Sequence, residues 1–205
     1  MYIDLKKWIL WIKKMRNLFI VNHLLMFTSA LYAQPSLFIS EYCGGNPNYS
    51  WLEFYNPSDD TLNLEGYKIL TVAQQVAGFN NVSQAYTFYL NGTLAPKTVY
   101  VITNNTCPQD VLIIADTLLR WNEKVEPQPW QQITRFYNGD ETVGLFYNDT
   151  LIDILGNPND SPRLAWDVAG VTAATNQYTL LRKPEVTHGN TDWDASRGTD
   201  ADNFR

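Results

Sequence analysis

The sequence predicts an all-β fold, an antiparallel sandwich of two packed sheets. Three observations point to it. The body consists of short runs rich in β-branched and aromatic residues, those runs alternate apolar and polar side chains, and turn chemistry separates them instead of a helical period. Composition permits such a fold. The 205 residues suit one domain with an appendage, and 45% hydrophobic with 14% aromatic residues can fill a core. Eleven Gly and ten Pro are too few for a collagen-like or Pro-rich chain.

An N-terminal signal helix is expected before the sandwich. Met15-Arg16-Asn17 is a short basic start, Leu18 to Leu31 is mostly apolar, and Thr28 to Ala33 is rich in small residues. These are the three regions of a secretory peptide, with cleavage expected between Ala33 and Gln34, although Leu31 is bulky for its place. The apolar stretch contains Asn22 and His23 and falls short of the about 20 residues that a span needs, so membrane contact is expected only through this segment. Met1 to Lys14 mixes Trp8, Ile9 and Trp11 with lysines. A true start at Met15 explains this, and the competing reading is an uncleaved anchor made of both stretches. Secretion exposes the body to an oxidising compartment, which makes Cys43 and Cys107 a disulfide candidate, the alternative being two separate thiols.

The strands follow in order. Leu37 to Tyr42 is stopped by Gly44-Gly45-Asn46-Pro47, and Trp51 to Tyr55 places Leu52 and Phe54 on one face with Glu53 on the other. Asn56-Pro57-Ser58-Asp59 is a turn, because Pro fixes φ and Asn or Asp bonds its own backbone. Leu62, Leu64, Tyr67 and Ile69 read as one extended stretch bent at Gly66. Tyr86 to Leu90 and Thr98 to Ile102, around Asn91-Gly92, read as a hairpin-like pair with a widened loop. Val111 to Leu119 is ambiguous between a strand and a short helix, with a helix or irregular loop favoured. Thr142 to Tyr147 and Thr150 to Leu155, joined by Asn148-Asp149, form the clearest hairpin, and Tyr178 to Arg182 is the last strand. Pro184 to Arg205 is polar and lacks alternation, and taken alone it would be a tail.

Together these segments resemble a known family. Leu37-Phe38-Ile39-Ser40-Glu41-Tyr42, Trp51-Leu52-Glu53-Phe54-Tyr55-Asn56-Pro57 and Leu62-Asn63-Leu64-Glu65-Gly66-Tyr67 resemble the opening of lamin tail domains. The likeness continues through Leu94 to Ile102, Phe136 to Leu145 and Leu151 to Gly156. Tyr178 to Pro184 with Asn190 to Asp194 is similar to the ending of secreted bacterial members. The resemblance covers roughly residues 36–204 and implies an immunoglobulin-like β-sandwich over 36–205. It also implies a closing apolar strand after Asp202-Asn203, where this sequence has only Phe204-Arg205, so the final strand is expected to be missing. Residues 103–135, with Trp121, Pro127, Pro129 and Trp130, fit the family pattern poorly and read as an insertion.

Charge and histidine content narrow the function. The net charge of −6 divides into +4 over residues 1–33 and −10 over the rest, which holds ten basic and twenty acidic residues. Nucleic-acid affinity comes mainly from Lys and Arg displacing counterions, so such a partner is disfavoured. The body has one histidine, His188, in a loop without a nucleophile elbow, which removes sites that need two imidazoles.

Several clusters remain. Asp140 and Glu141, beside Asn138-Gly139, are weak Ca²⁺ candidates, against a reading as a turn whose Asp accepts backbone N–H groups. Glu41 and Glu53 on neighbouring strands could face each other as paired acids, against solvated or hydrogen-bonded glutamates. Asp192-Trp193-Asp194 with Asp200 and Asp202 is an acidic patch that could favour Ca²⁺ or repel nucleic acid, against a reading as a solvated segment pinned by Trp193, and Arg182-Lys183 is expected to pair with these acids and not to clamp a phosphate. Trp121 and Trp130 flank a Pro-rich loop and are binding-surface candidates, against a role in capping the core. No catalytic residue and no cofactor is expected; a single body histidine disfavours zinc, and Ca²⁺ is the one metal with a weak candidate site.

The resemblance therefore implies a secreted, non-catalytic module for binding or attachment to a protein or cell-surface component, accessory to a secreted hydrolase. The alternatives are a nucleic-acid-associated accessory domain of a secreted nuclease and, behind it, an acid-dependent hydrolase.

Overall fold

The computed structural model describes residues 36–44, 49–72, 79, 85–119, 139–160 and 164–202. The expected signal helix, the Ala33 and Gln34 cleavage site, and Trp121 and Trp130 lie outside them.

The first sheet begins with β1 (Phe38–Gly44) and β2 (Ser50–Tyr55). β2 shows the simple case: Leu52 and Phe54 are buried while Trp51, Glu53 and Tyr55 are half-buried, the period of two that a sheet with one inner face requires. β1 departs from that period because its pairing with β2 slips between Ile39 and Glu41. The bulge lets Ile39 and Tyr42, three residues apart, both enter the core and turns Ser40 and Glu41 outward together. β7 (Val99–Asn104) pairs with β2, and β11 (Thr179–Leu181) pairs with β1.

The second sheet is built on β4 (Tyr67–Val72), flanked by β5 (Ala85–Tyr89) and β9 (Thr142–Tyr147), with β10 (Thr150–Leu155) outside β9. β9 and β10 form the expected hairpin. Asn148 and Asp149 both take positive φ, 45° and 65°, the left-handed pair that matches the twist of two-residue hairpins. The inner faces of the two sheets meet in one core, with Tyr42, Leu52, Phe54 and Ile102 from the first and Tyr67, Ile69, Leu145 and Ile154 from the second.

Several expectations need correction. Tyr86–Leu90 and Thr98–Ile102 do not pair: β5 bonds β4 in one sheet and β7 bonds β2 in the other. Between them the chain forms β6 (Thr93–Leu94), which pairs with β3 (Leu62–Asn63) across the side of the sandwich. Leu64, Leu90 and Leu94 are buried together there, and their burial draws the chain from sheet to sheet. For the same reason Leu62 to Ile69 is two strands in two sheets. Residues 109–119 give a one-turn helix, α1 (Gln109–Leu112), and then β8 (Thr117–Leu119), which runs parallel to β7, so the sandwich is not wholly antiparallel.

A further correction concerns the C-terminal stretch, which is not the tail that its polarity alone suggests. A short helix, α2 (Trp193–Ser196), starts at Asp192, whose side chain accepts the Ala195 N–H as an N-cap. Trp193 is buried and meets Trp166 edge-on at 6.0 Å between ring centroids. A 3₁₀ turn, Asp200–Asp202, follows.

Candidate binding surface

The best-built polar feature joins β1, β10 and the C-terminal segment. Asp153 lies in the middle of the apolar strand Leu151-Ile152-Asp153-Ile154-Leu155, and a bulge at that point turns it inward, where it is 0% exposed. Its carboxylate accepts from the backbone N–H groups of Ile39, Ile154 and Asn190, each at 2.9 Å, and from Arg182 Nη2 at 2.7 Å. Arg182 in turn donates from Nε to the Ile39 carbonyl and from Nη1 to Ser196 Oγ. Burial pushes the Asp153 carboxyl up, and the Arg182 charge and the three backbone donors oppose that rise. Gly189 allows this joint: a Cβ there would lie 2.4 Å from the Ile152 carbonyl, so only a bare backbone can pass so close to β10.

The acidic patch is distributed along the same segment. Asp202 accepts from Lys183 and from the Thr199 N–H, and these bonds, the Lys183 bond foremost, hold its carboxyl down to about 2. Asp194 pairs with Arg197 at 3.1 Å and Asp192 caps α2. Arg182 and Lys183 are thus both paired, Lys183 within the patch and Arg182 with Asp153, a partner that the sequence reading missed.

Beside this joint runs a cleft of about 430 Å³ lined by Leu181, Arg182, Lys183, His188, Arg197 and Asp202, among others. A smaller hollow that shares Leu181, Arg182 and Arg197 extends it to Ser40 and Glu41 of β1. Leu181, 73% exposed, lines it from a strand that closes one side of the first sheet and, among the described residues, pairs only with β1. His188 is exposed, with Nδ1 3.3 Å from Thr187 Oγ1.

The other candidates are placed as follows. Glu41 and Glu53 stand directly opposite each other across β1 and β2. Trp51 Nε1 donates to Glu41 at 2.9 Å and Ser40 Oγ donates to Glu53 at 2.8 Å, so each acid is held at the outer face. Burial first, then the charge of Glu41, raises the Glu53 pKa above its ordinary 4.5, against the Ser40 bond. The fold therefore favours protonated Glu53, and its ionisation costs stability as pH rises through the raised value. Glu53→Gln keeps an acceptor for Ser40 and removes the opposed charge. It should stabilise the domain by about 0.2–1 kcal/mol at neutral pH, since like charges directly opposite destabilise a strand pair, and by nothing below about pH 4. Denaturant melts at the two pH values check this.

Asp140 and Glu141 belong to a joint at the start of β9. Glu141 Oε2 accepts from the Gly139 N–H, the Glu141 carbonyl accepts from Trp166 Nε1, and the Gly139 carbonyl accepts from Thr175 Oγ1. Burial raises the Asp140 carboxyl. Among the described residues no group of three or more His, Cys, Asp or Glu side chains is placed to hold a metal ion. Cys43 and Cys107 are both buried thiols, not a bridge, and they approach consecutive carbonyls at the entry to β2: Cys43 Sγ lies 3.7 Å from the Tyr49 oxygen and Cys107 Sγ 3.5 Å from that of Ser50.

The model of the lamin tail domain family matches residues 31–158, more than half of the chain. The chain belongs to the lamin tail domain family. None of the curated proteins is significantly similar to it in sequence. The match spans β1 to β10 of this lamin tail domain and ends before the residues that complete the Asp153 joint, although Arg182 and Asn190 bond that aspartate directly. Asp153 had one signal in the sequence: a lone carboxylate in an apolar run must find a partner once the run is buried.

Proposed function

We propose that this lamin tail domain is a secreted, non-catalytic module that binds a protein or a cell-surface component and serves as the attachment unit of a secreted hydrolase. The observation that carries the reading is the cleft around Leu181. An exposed leucine on an edge strand is framed by Arg182, Lys183, Asp202 and Arg197, whose charges are engaged with one another or with Asp153 and Asp194. An apolar centre with an ordered polar rim is the anatomy of a recognition surface, and an edge strand can accept an extended segment of a partner. The leader-like first 33 residues support export, and the excess of acidic over basic residues in the body speaks against a polyphosphate ligand.

The test measures binding of the labelled chain to bacterial cell-envelope fractions. Binding should be saturable, and Leu181→Asp should weaken it at least about tenfold, as losing an interface anchor does, while an exposed position leaves stability within about 0.5 kcal/mol. Equal binding by the variant would sink the reading. Retention on DNA that fades with added salt would point instead to a nucleic-acid partner.

A further inference from the structure

We propose that Asn91-Gly92 is a self-modifying turn, at which the asparagine converts to aspartate and isoaspartate in the folded protein. The reaction needs an asparagine side chain that is free to move, a following amide that can reach it, and water. Asn91 and Gly92 are both exposed in the turn between β5 and β6, and among the described residues neither the Asn91 side chain nor the Gly92 N–H has a hydrogen-bond partner. Gly92 holds a φ of +87°, and a Cβ built on it would meet nothing within 4 Å. The amide of Gly92 thus approaches the side chain without steric hindrance, and the backbone can turn at low cost.

The step balances with water alone. The Gly92 nitrogen attacks Cγ of Asn91, a C–N bond forms, the Gly92 amide proton passes to the departing amino group, and ammonia leaves. Water then opens the five-membered imide at either carbonyl. One opening gives aspartate, and the other gives isoaspartate, with the main chain rerouted through the former side chain. Either product adds a negative charge. Isoaspartate also lengthens the backbone beside buried Leu90 and Leu94, where the Leu64 N–H bonds the Gly92 carbonyl. The β3–β6 corner is the part of the fold that would loosen.

The chain supplies its own control. Asn138-Gly139 has the same dipeptide, but the Gly139 N–H donates to Glu141 Oε2 and a Cβ on Gly139 would strike the Asn176 backbone. The folded chain is incubated in mildly alkaline buffer and digested, and the two peptides are followed by mass for exchange of NH₂ for OH. The Asn91 peptide should convert at least about tenfold faster than the Asn138 peptide, a barrier difference of about 1.36 kcal/mol. In denaturant the two rates should converge, and Asn91→Gln should abolish the signal from its peptide. Equal rates in the folded chain, or an Asn91 peptide that stays intact there while converting in denaturant, would overturn the proposal.

Discussion

Asp153→Ala should cost the domain about 3–5 kcal/mol, because it leaves the Arg182 guanidinium half-enclosed without its counter-charge and takes the carboxylate acceptor from the Ile39 and Asn190 N–H groups, while the Ile154 N–H keeps its bond to the Asn190 carbonyl. Denaturant melts of the whole chain measure the loss. Removing both partners should cost less than the sum of the single changes, since Asp153→Ala with Arg182→Leu no longer leaves a lone charge near the core. The pair specifies more than it stabilises: it fixes β1, β10, the 186–190 loop and α2 around one carboxylate. A loss under about 1 kcal/mol from Asp153→Ala would mean that this joint does not hold the four elements together.

Trp193→Ala should be about as damaging, also about 3–5 kcal/mol. Trp193 is the one buried residue of α2, its ring packs on Trp166, and it walls the small hollow beneath Leu180 and Leu181. Truncation opens a cavity that the short helix cannot collapse to fill, because its ends are fixed by the Asp192 cap and by the bond from Arg182 to Ser196. The damage should reach β11 through the shared packing and leave β2 and β7 at the far side of the sheet less affected.

What the sequence revealed depended on distance along the chain. The facing of Glu41 and Glu53 was legible because β1 and β2 are neighbours in sequence and in the sheet, and only the bulge at Ser40 was hidden. The β9–β10 hairpin was legible from Asn148-Asp149 and its flanking alternation. The same local logic paired β5 with β7 around Asn91-Gly92 and failed. The deciding force there is burial of Leu64, Leu90 and Leu94 together, a contact across the sandwich that no local pattern encodes. The C-terminal stretch read as a tail because its order comes from single side chains: Trp193 in the core, Arg182 on Asp153 and Asp202 on Lys183. None of these has a period, and each partner lies far off in sequence or is one acid among several.

The residues beyond the family match are part of the sandwich and shape the edge that is proposed to bind. Hydrogen exchange at the β11 and Asn190 amides tests it most directly, in the whole chain and in Trp193→Ala. The account predicts that the Leu180, Arg182 and Asn190 amides exchange nearly as slowly as those of β1 in the natural sequence, and that Trp193→Ala releases them before β2. Rapid exchange of those amides in the natural chain, with β1 to β10 still protected, would contradict it.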